Sequence, residues 1–294
     1  MNRKSFVFVA LLAIVAGVVP AHAQDSFDAV EIRAEPLAPG VAVLFGSGGN
    51  IAVSYGDDAT ILIDDQFAPL SKKIEAAIAA LGASPVGYVV DTHWHYDHTG
   101  GNENFGRTGA TIFAHENVRI RLAAGGNIGG NAIAPSPPEA LPVVTFEQGL
   151  KFHRNGDTIR LAYFGGGHTD GDAIVFWEEK NIVHMGDLYF NISGYPFVDL
   201  DSGGSVYNAM RSLDLAISMI DDQTKVIPGH GPMSNKAELV AYRAMIGAAV
   251  KQVEALKAAG MSLDEAVAAK PLDGFNRGQG FIGPDAFVTA IWNS

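Results

Sequence analysis

The chain has 294 residues, no cysteine, 48% hydrophobic residues and a formal net charge of -12. That length supports one sizeable core or a core with a small appendage. The missing cysteine excludes disulfides, thiolate nucleophiles and Cys-rich zinc sites, and acidity without a Lys/Arg cluster disfavours a nucleic-acid partner.

Arg3 and Lys4 precede an apolar run, Phe6 to Val19, which ends at Pro20 and Ala21-His22-Ala23. This is the layout of a secretory signal peptide over residues 1-23, with cleavage after Ala23. The run is short for a membrane-spanning helix, so no stable membrane anchor is expected. The mature chain, 24-294, is expected to be one domain outside the cytoplasm, and periplasmic if the host is Gram-negative.

Val41–Phe45, Asn50–Tyr55 and Thr60–Asp64 read as a meander of three strands separated by Gly-rich or Gly-Asp turns. Leu70–Leu81 carries Ile74, Ala77, Ile78 and Leu81 at helical spacing and should pack one face on that sheet. Val86–Val90 is another strand, and Gly101–Phe105 a short helical turn. Ala110–Ala114 and His115–Ala124 read as strand and helix. Gly125–Pro138, rich in Gly, Asn, Ala and Pro, should hold little regular structure and lie beside the site, either as a loop touching substrate or as an ordinary connector.

A second strand-rich stretch follows: Val143–Phe146, Leu150–His153, Thr158–Tyr163, Ala173–Trp177 and Ile182–Met185. It suggests a second meander and two packed sheets. The chain then turns helical, over Val206–Met219, Leu239–Ala259, Leu263–Ala268 with a Ser262/Glu265 capping box, and Asp285–Trp292. A brief strand, Lys225–Ile227, interrupts these helices.

The chemistry concentrates where Val86–Val90 ends. His93, His95, Asp97 and His98 fall within six residues. In extended backbone the i, i+2 spacing puts His93 and His95 on one side, while the turn after them can swing Asp97 and His98 toward an adjacent point. Imidazole and carboxylate together suit zinc and other first-row metals. Three later positions have the same setting, just past a strand and next to glycine: His168 in Gly165-Gly166-Gly167-His168, Asp187 after Gly186, and His230 between Gly229 and Gly231. Asp64 or Asp65 can receive the outer N–H of a ligating histidine, and the spacing does not choose between them. His115, His153 and His184 read as supporting, surface or core histidines.

His-x-His-x-Asp-His followed by Gly-His-Thr, Gly-Asp and Gly-His resembles the metallo-β-lactamase superfamily over most of the mature chain. The resemblance implies an α/β fold, a four-layer αβ/βα sandwich. It further implies two zinc ions, with His93, His95 and His168 holding one, Asp97, His98 and His230 the other, and Asp187 bridging. Asp97 and Asp187 become the catalytic carboxylates, around a hydroxide held between the metals that attacks an amide or ester carbonyl.

The exported β-lactamases of subclass B1 are similar, yet they carry Cys where Asp187 stands and a drug-gripping Lys shortly after it. This chain has Leu188, Tyr189, Phe190 and Asn191 there. Asp187 itself resembles glyoxalase II and the lactonases. The expectation is a β-lactamase-like zinc hydrolase, promiscuous or weak, with a lactonase or thioesterase of the same fold as the alternative. Tyr195, Phe67, Trp94 and Tyr189 are the expected substrate contacts, with Tyr96, Phe190 and Phe197 as further aromatic walls. The expected partner is a small-molecule substrate, and the chain a monomer.

Overall fold

The computed structural model describes residues 27–275, 277–278 and 280–294. The signal-peptide reading of 1-23 lies outside them. Among the described residues no helix is long and apolar enough to cross a membrane.

Two sheets face each other. The first has seven strands: β1 (Arg33–Ala38), β2 (Val41–Phe45), β3 (Ile51–Ser54), β4 (Thr60–Ile63), β5 (Val86–Val90), β6 (Thr111–His115) and, completing it, β9 (Val144–Phe146). The second has six: β10 (Gly149–Arg154), β11 (Asp157–Tyr163), β12 (Ala173–Trp177), β13 (Ile182–His184), β14 (Lys225–Ile227) and β15 (Ser234–Asn235). A small hairpin, β7 (Gly126–Ile128) and β8 (Asn131–Ile133), stands apart.

The strands are apolar on both faces because both faces are covered. Val41, Val43, Ala52, Ile61, Ile63 and Val90 point inward to meet Ile159, Leu161, Val175, Trp177 and Ile227 of the opposite sheet. The intervening residues Leu44, Ile51, Val53, Leu62 and Val89 point outward onto α1 (Ser71–Ala80), through Ile74 and Ile78, and α3 (Asn102–Arg107), through Phe105. The outer face of the second sheet, with Ile174, Phe176, Val183 and Val226, is covered by α5 (Val206–Ser218), α6 (Lys236–Ala258) and α8 (Pro284–Asn293). Each such Val, Ile or Leu contributes roughly 1.5–3 kcal/mol on full burial. This is the expected α/β four-layer αβ/βα sandwich. The capping box at α7 (Leu263–Ala268) is formed by Ser262 and Glu265 as expected.

Three elements differ from expectation. β9 pairs in parallel with β6 and closes the first sheet rather than opening the second. β1 pairs with β2 and is an additional edge strand; Pro36 and two charged residues hide it in the sequence, and an edge position tolerates all three. The Gly-rich segment after α4 (Glu116–Ala124) forms the β7–β8 hairpin, because positive-φ Gly129 and Gly130 supply its tight turn.

Candidate metal centre

Every donor lies just past the end of a strand along one rim of the sandwich. β5 ends at Val90, and in place of the expected extended backbone a bent segment, Thr92–Trp94, carries His93 and His95 over the edge before α2 (Tyr96–Thr99) turns Asp97 and His98 inward. Thr99 Oγ1 donates to the His95 carbonyl at 3.1 Å and tightens that turn. His168 follows β11, Asp187 follows β13 and His230 follows β14. Two glycines let these segments approach. A Cβ on Gly229 would lie 2.0 Å from Asp187 Oδ1, and one on Gly49 2.1 Å from the His98 ring. Asn50 ties the sheets together across the rim by donating to the Pro228 and Gly231 carbonyls at 2.9 and 2.8 Å.

The donors form two groups. One ligand atom from each of His93, His95, His168 and Asp187 lies within 4.8 Å of the others, and the same holds for Asp97, His98 and His230. Asp187 belongs to both neighbourhoods. Its Oδ2 is 3.6 Å from His168 Nε2 and 3.4 Å from His230 Nε2, and its Oδ1 is 3.2 Å from His98 Nε2.

Most of the histidines have an outer nitrogen anchored, which selects the nitrogen left for a ligand. His95 Nε2 meets Asp199 Oδ2 at 2.9 Å, so Nδ1 faces the group. His168 Nδ1 donates to the Phe197 carbonyl at 2.6 Å, and His98 Nδ1 to Asp64 Oδ2 at 2.7 Å. His93 Nδ1 contacts Thr92 Oγ1 at 3.1 Å, and Thr92 Oγ1 in turn donates to Asp64 Oδ2 at 2.8 Å. Asp64 is therefore the carboxylate that braces histidines of both groups. Asp65 is turned instead toward the Gly101 amide.

The charge states follow from these surroundings. Burial, reinforced by neighbouring histidines, pushes His93 well below the usual imidazole range and His168 to about 4. Burial alone would raise the Asp187 and Asp97 carboxyls; His230 and His98 outweigh it and hold both below the usual range. Against the same burial penalty, the carboxylates lift His98 well above normal and His230 to about 9.

This donor set fits a divalent first-row metal. The ionised carboxylates and the neutral His93 and His168 are in ligating form, while His98 and His230, which the carboxylates hold protonated, would give up that proton to a bound metal. His93 Nε2 is buried with no hydrogen-bond partner. The separations of 3.2 to 3.8 Å from Asp187 oxygens to His98 and His93 bracket the roughly 3.3 Å expected between ligands about 2.0–2.1 Å from a tetrahedral ion.

The expected substrate contacts fare unevenly. Phe67 lines the cleft over the donors, together with Tyr96, Phe190 and Phe197. Trp94, Tyr189 and Tyr195 do not. Trp94 is buried and donates to Ser202 Oγ at 2.9 Å. Tyr189 packs on Tyr242 and bonds Ser234, and Tyr195 stacks on Phe287 with its hydroxyl on the Leu272 carbonyl. Each ring faces the core because its own hydroxyl or N–H finds a partner there. Conversely, sequence reasoning passed over Asn50, Thr92, Asp199 and Phe281. The first three carry no local motif, and Phe281 stands in a Gly-rich stretch without periodicity. His115 caps α4 and stacks on Tyr163, while His184 bonds the Asn50 carbonyl, so both are structural.

The family model for the metallo-beta-lactamase superfamily matches residues 45–232, and the chain belongs to that superfamily. A hydroxyacylglutathione hydrolase from Polaromonas sp. strain JS666 is 27% identical over 62% of this chain. The chain spans 63% of that relative's length. Among solved structures, a metallo-beta-lactamase from Pontibacter korlensis aligns with a TM-score of 0.63 at 19% identity, over 74% of this chain and 99% of that one. A double mutant of the sec-alkyl sulfatase PisA1 aligns with a TM-score of 0.70 at 15% identity, over 92% of this chain and 51% of that one. At these identities the structural likenesses speak for the fold.

Proposed function

We propose that the chain is a metal-dependent hydrolase that holds two zinc ions and opens a carbonyl–heteroatom bond with water. The observation that carries this reading is Asp187, buried between two donor groups with one carboxylate facing histidines of both. His93, His95 and His168 would hold one zinc, Asp97, His98 and His230 the other, with Asp187 shared. Zinc so held lowers the pKa of water toward neutrality and polarises a carbonyl.

The chain's own residues do the rest. Asp97 is held ionised, lines the cleft and keeps its side chain 23% exposed, so its carboxylate can accept a hydrogen bond from attacking water and orient it. Phe197, over His95 and His168, shields the donors from bulk water. The amide of a β-lactam is the first substrate class to test. A lactone or thioester is the second, supported by the Polaromonas relative and by a ligand set built from His and Asp alone. All three share the same attack and differ in what surrounds the carbonyl. Export of a single domain spanning 24-294, acting as a monomer, belongs to the same proposal.

Asp97→Ala tests it. Metal content should fall from two zinc per chain to one, and turnover by about 10²-fold or more, the scale of losing one electrostatic group in a transition state. The thermal midpoint should hold. A kinetic panel of a cephalosporin, a carbapenem, a lactone and a thioester reads the substrate class alongside. Unchanged turnover with two bound metals in the variant would sink the assignment.

A further inference from the structure

Of the four donors grouped around His93, the three histidines are anchored from outside by Thr92, Asp199 and the Phe197 carbonyl. Asp187 is not. Its oxygens meet only the ligand-facing nitrogens of His93, His98, His168 and His230, and Oδ1 has no hydrogen-bond partner among the described residues. A carboxylate shared by two donor groups sets the geometry of both, and a buried one ordinarily carries an outer hydrogen bond as well.

Asp187 lines a second, small cavity of about 10 Å³, together with His168 and Tyr242 of α6. The rest of the wall is apolar, with Leu188, Val206, Ile246 and Phe287 in it. That is the space of one water molecule, which needs at least two polar partners to stay. His168 supplies neither, because Nδ1 donates to the Phe197 carbonyl and Nε2 faces the donor group. Tyr242 does supply one. The residue is 6% exposed, and its hydroxyl is buried with no hydrogen-bond partner among the described residues. Tyr242 also borders an open surface cavity beside Glu238 and Arg277, but a hydroxyl out of reach of solvent does not face that side. Burial chiefly raises the pKa of this hydroxyl, against the backbone at Phe190 and with help from the Asp187 charge, so the group keeps its proton and the carboxylate is near enough to act on it. A buried hydroxyl and a buried carboxylate oxygen left unpaired are each costly, and one water between them satisfies both.

We propose that Tyr242 is a positioning residue for Asp187: its hydroxyl donates to a single buried water, and that water donates to the Asp187 carboxylate. The bridge itself follows from the cavity and the two unpaired groups; its consequence for metal rests on the two-zinc reading above. The anchor reaches the rim from a helix that carries no donor, on the outer face of the second sheet. No proton is transferred along it. The water holds the shared carboxylate in one orientation before metal arrives, so less freedom is lost on binding at either group.

Tyr242→Phe removes the hydroxyl and keeps the ring, which packs edge-on against Tyr189 at 4.8 Å. Zinc affinity of the full chain, read by competition with a chromophoric chelator, should fall about tenfold at both groups, the lower end of what losing an outer partner of a metal ligand costs. Tyr189→Phe is the control. Its hydroxyl bonds Ser234 and not the cavity, so both affinities should stay within about twofold. A high-resolution crystal structure of the metal-free chain should show one ordered water within hydrogen-bond distance of Tyr242 Oη and an Asp187 oxygen. An empty cavity there would overturn the inference, as would unchanged affinities in Tyr242→Phe, a loss confined to one group, or equal losses in the two variants. If the water is in place but the parent chain binds fewer than two zinc ions, the two-zinc reading fails and the bridge stands.

Discussion

The two donor groups are built to different standards. In the first, His93, His95 and His168 have side chains 4% exposed or less, and each is fixed through its outer nitrogen by Thr92, Asp199 and the Phe197 carbonyl respectively. In the second, only His98 matches that, with its brace on Asp64. His230 is 11% and Asp97 23% exposed, and among the described residues no hydrogen bond reaches the outer nitrogen of His230. Its ring is held instead by packing between Phe190 and Phe281. A donor fixed by a hydrogen bond loses less freedom on binding metal than one fixed by apolar contact. The first group should therefore bind its metal more tightly, and the second should be the one that adapts to substrate.

The largest expected effect breaks this comparison directly. His168→Ala should empty the deep group and reduce turnover by about 10³-fold or more, whereas His230→Ala should leave one tightly held metal and a smaller loss, about 10²-fold. Metal analysis after gel filtration, with kinetics on the same preparations, reads both. If His230→Ala loses both metals and His168→Ala only one, the ranking is reversed.

A smaller effect sharpens the comparison by touching only the braces. Asp199→Asn keeps the shape of the contact to His95 but removes its charge, and should weaken the deep group about 10-fold to 100-fold with the other group unaffected. Asp64→Asn should weaken both, since Asp64 holds His98 directly and His93 through Thr92. Asp64 has φ +62, a left-handed conformation that Asn also tolerates, so the substitution isolates the carboxylate from the backbone. Competition with a chromophoric chelator measures both affinities. Equal losses at both groups in Asp199→Asn would show that the two sites are not separable.

Which parts of this were legible in the sequence follows from how local each signal is. The short apolar runs of β2 to β5, bounded by Gly-rich or Gly-Asp turns, announce strands covered on both sides, and the sheets follow. The seven donors are legible because each sits at the end of a strand beside glycine or in the dense His93–His98 run. β9 reads as part of the second sheet because parallel pairing with β6 leaves no mark in the strand itself. Asp199 has no motif, being 104 residues from the histidine it braces. The aromatic residues show the limit best. Phe67, Trp94, Tyr189 and Tyr195 look alike as candidates, and only partners distant in sequence, such as Ser202, Ser234 and Leu272, decide which of them turn inward.

Trp94 supplies the finest test of the comparison, because it stands between two histidines of the deep group without facing into it. His93 and His95 face the donor group while the Trp94 ring turns away from it and packs with Val118, Leu122 and Ile128. Its N–H donates to Ser202 Oγ, and Ser202 in turn donates to Asp199, the brace of His95. Trp94→Phe keeps a ring in the core and removes that one donor. Ser202 still reaches Asp199 in the variant, so the brace survives. The expected cost is about 2–3 kcal/mol of stability, one buried hydrogen bond together with the cavity left by the smaller ring. Metal affinity at the deep group should change by less than about threefold, because the charge–imidazole contact that orients His95 is untouched. Denaturant unfolding and the chelator competition read the two quantities separately. A loss of affinity as large as that of Asp199→Asn would mean that the brace extends through Ser202 to the indole, and that the deep group owes its order to the packing around Trp94 as well as to its carboxylate.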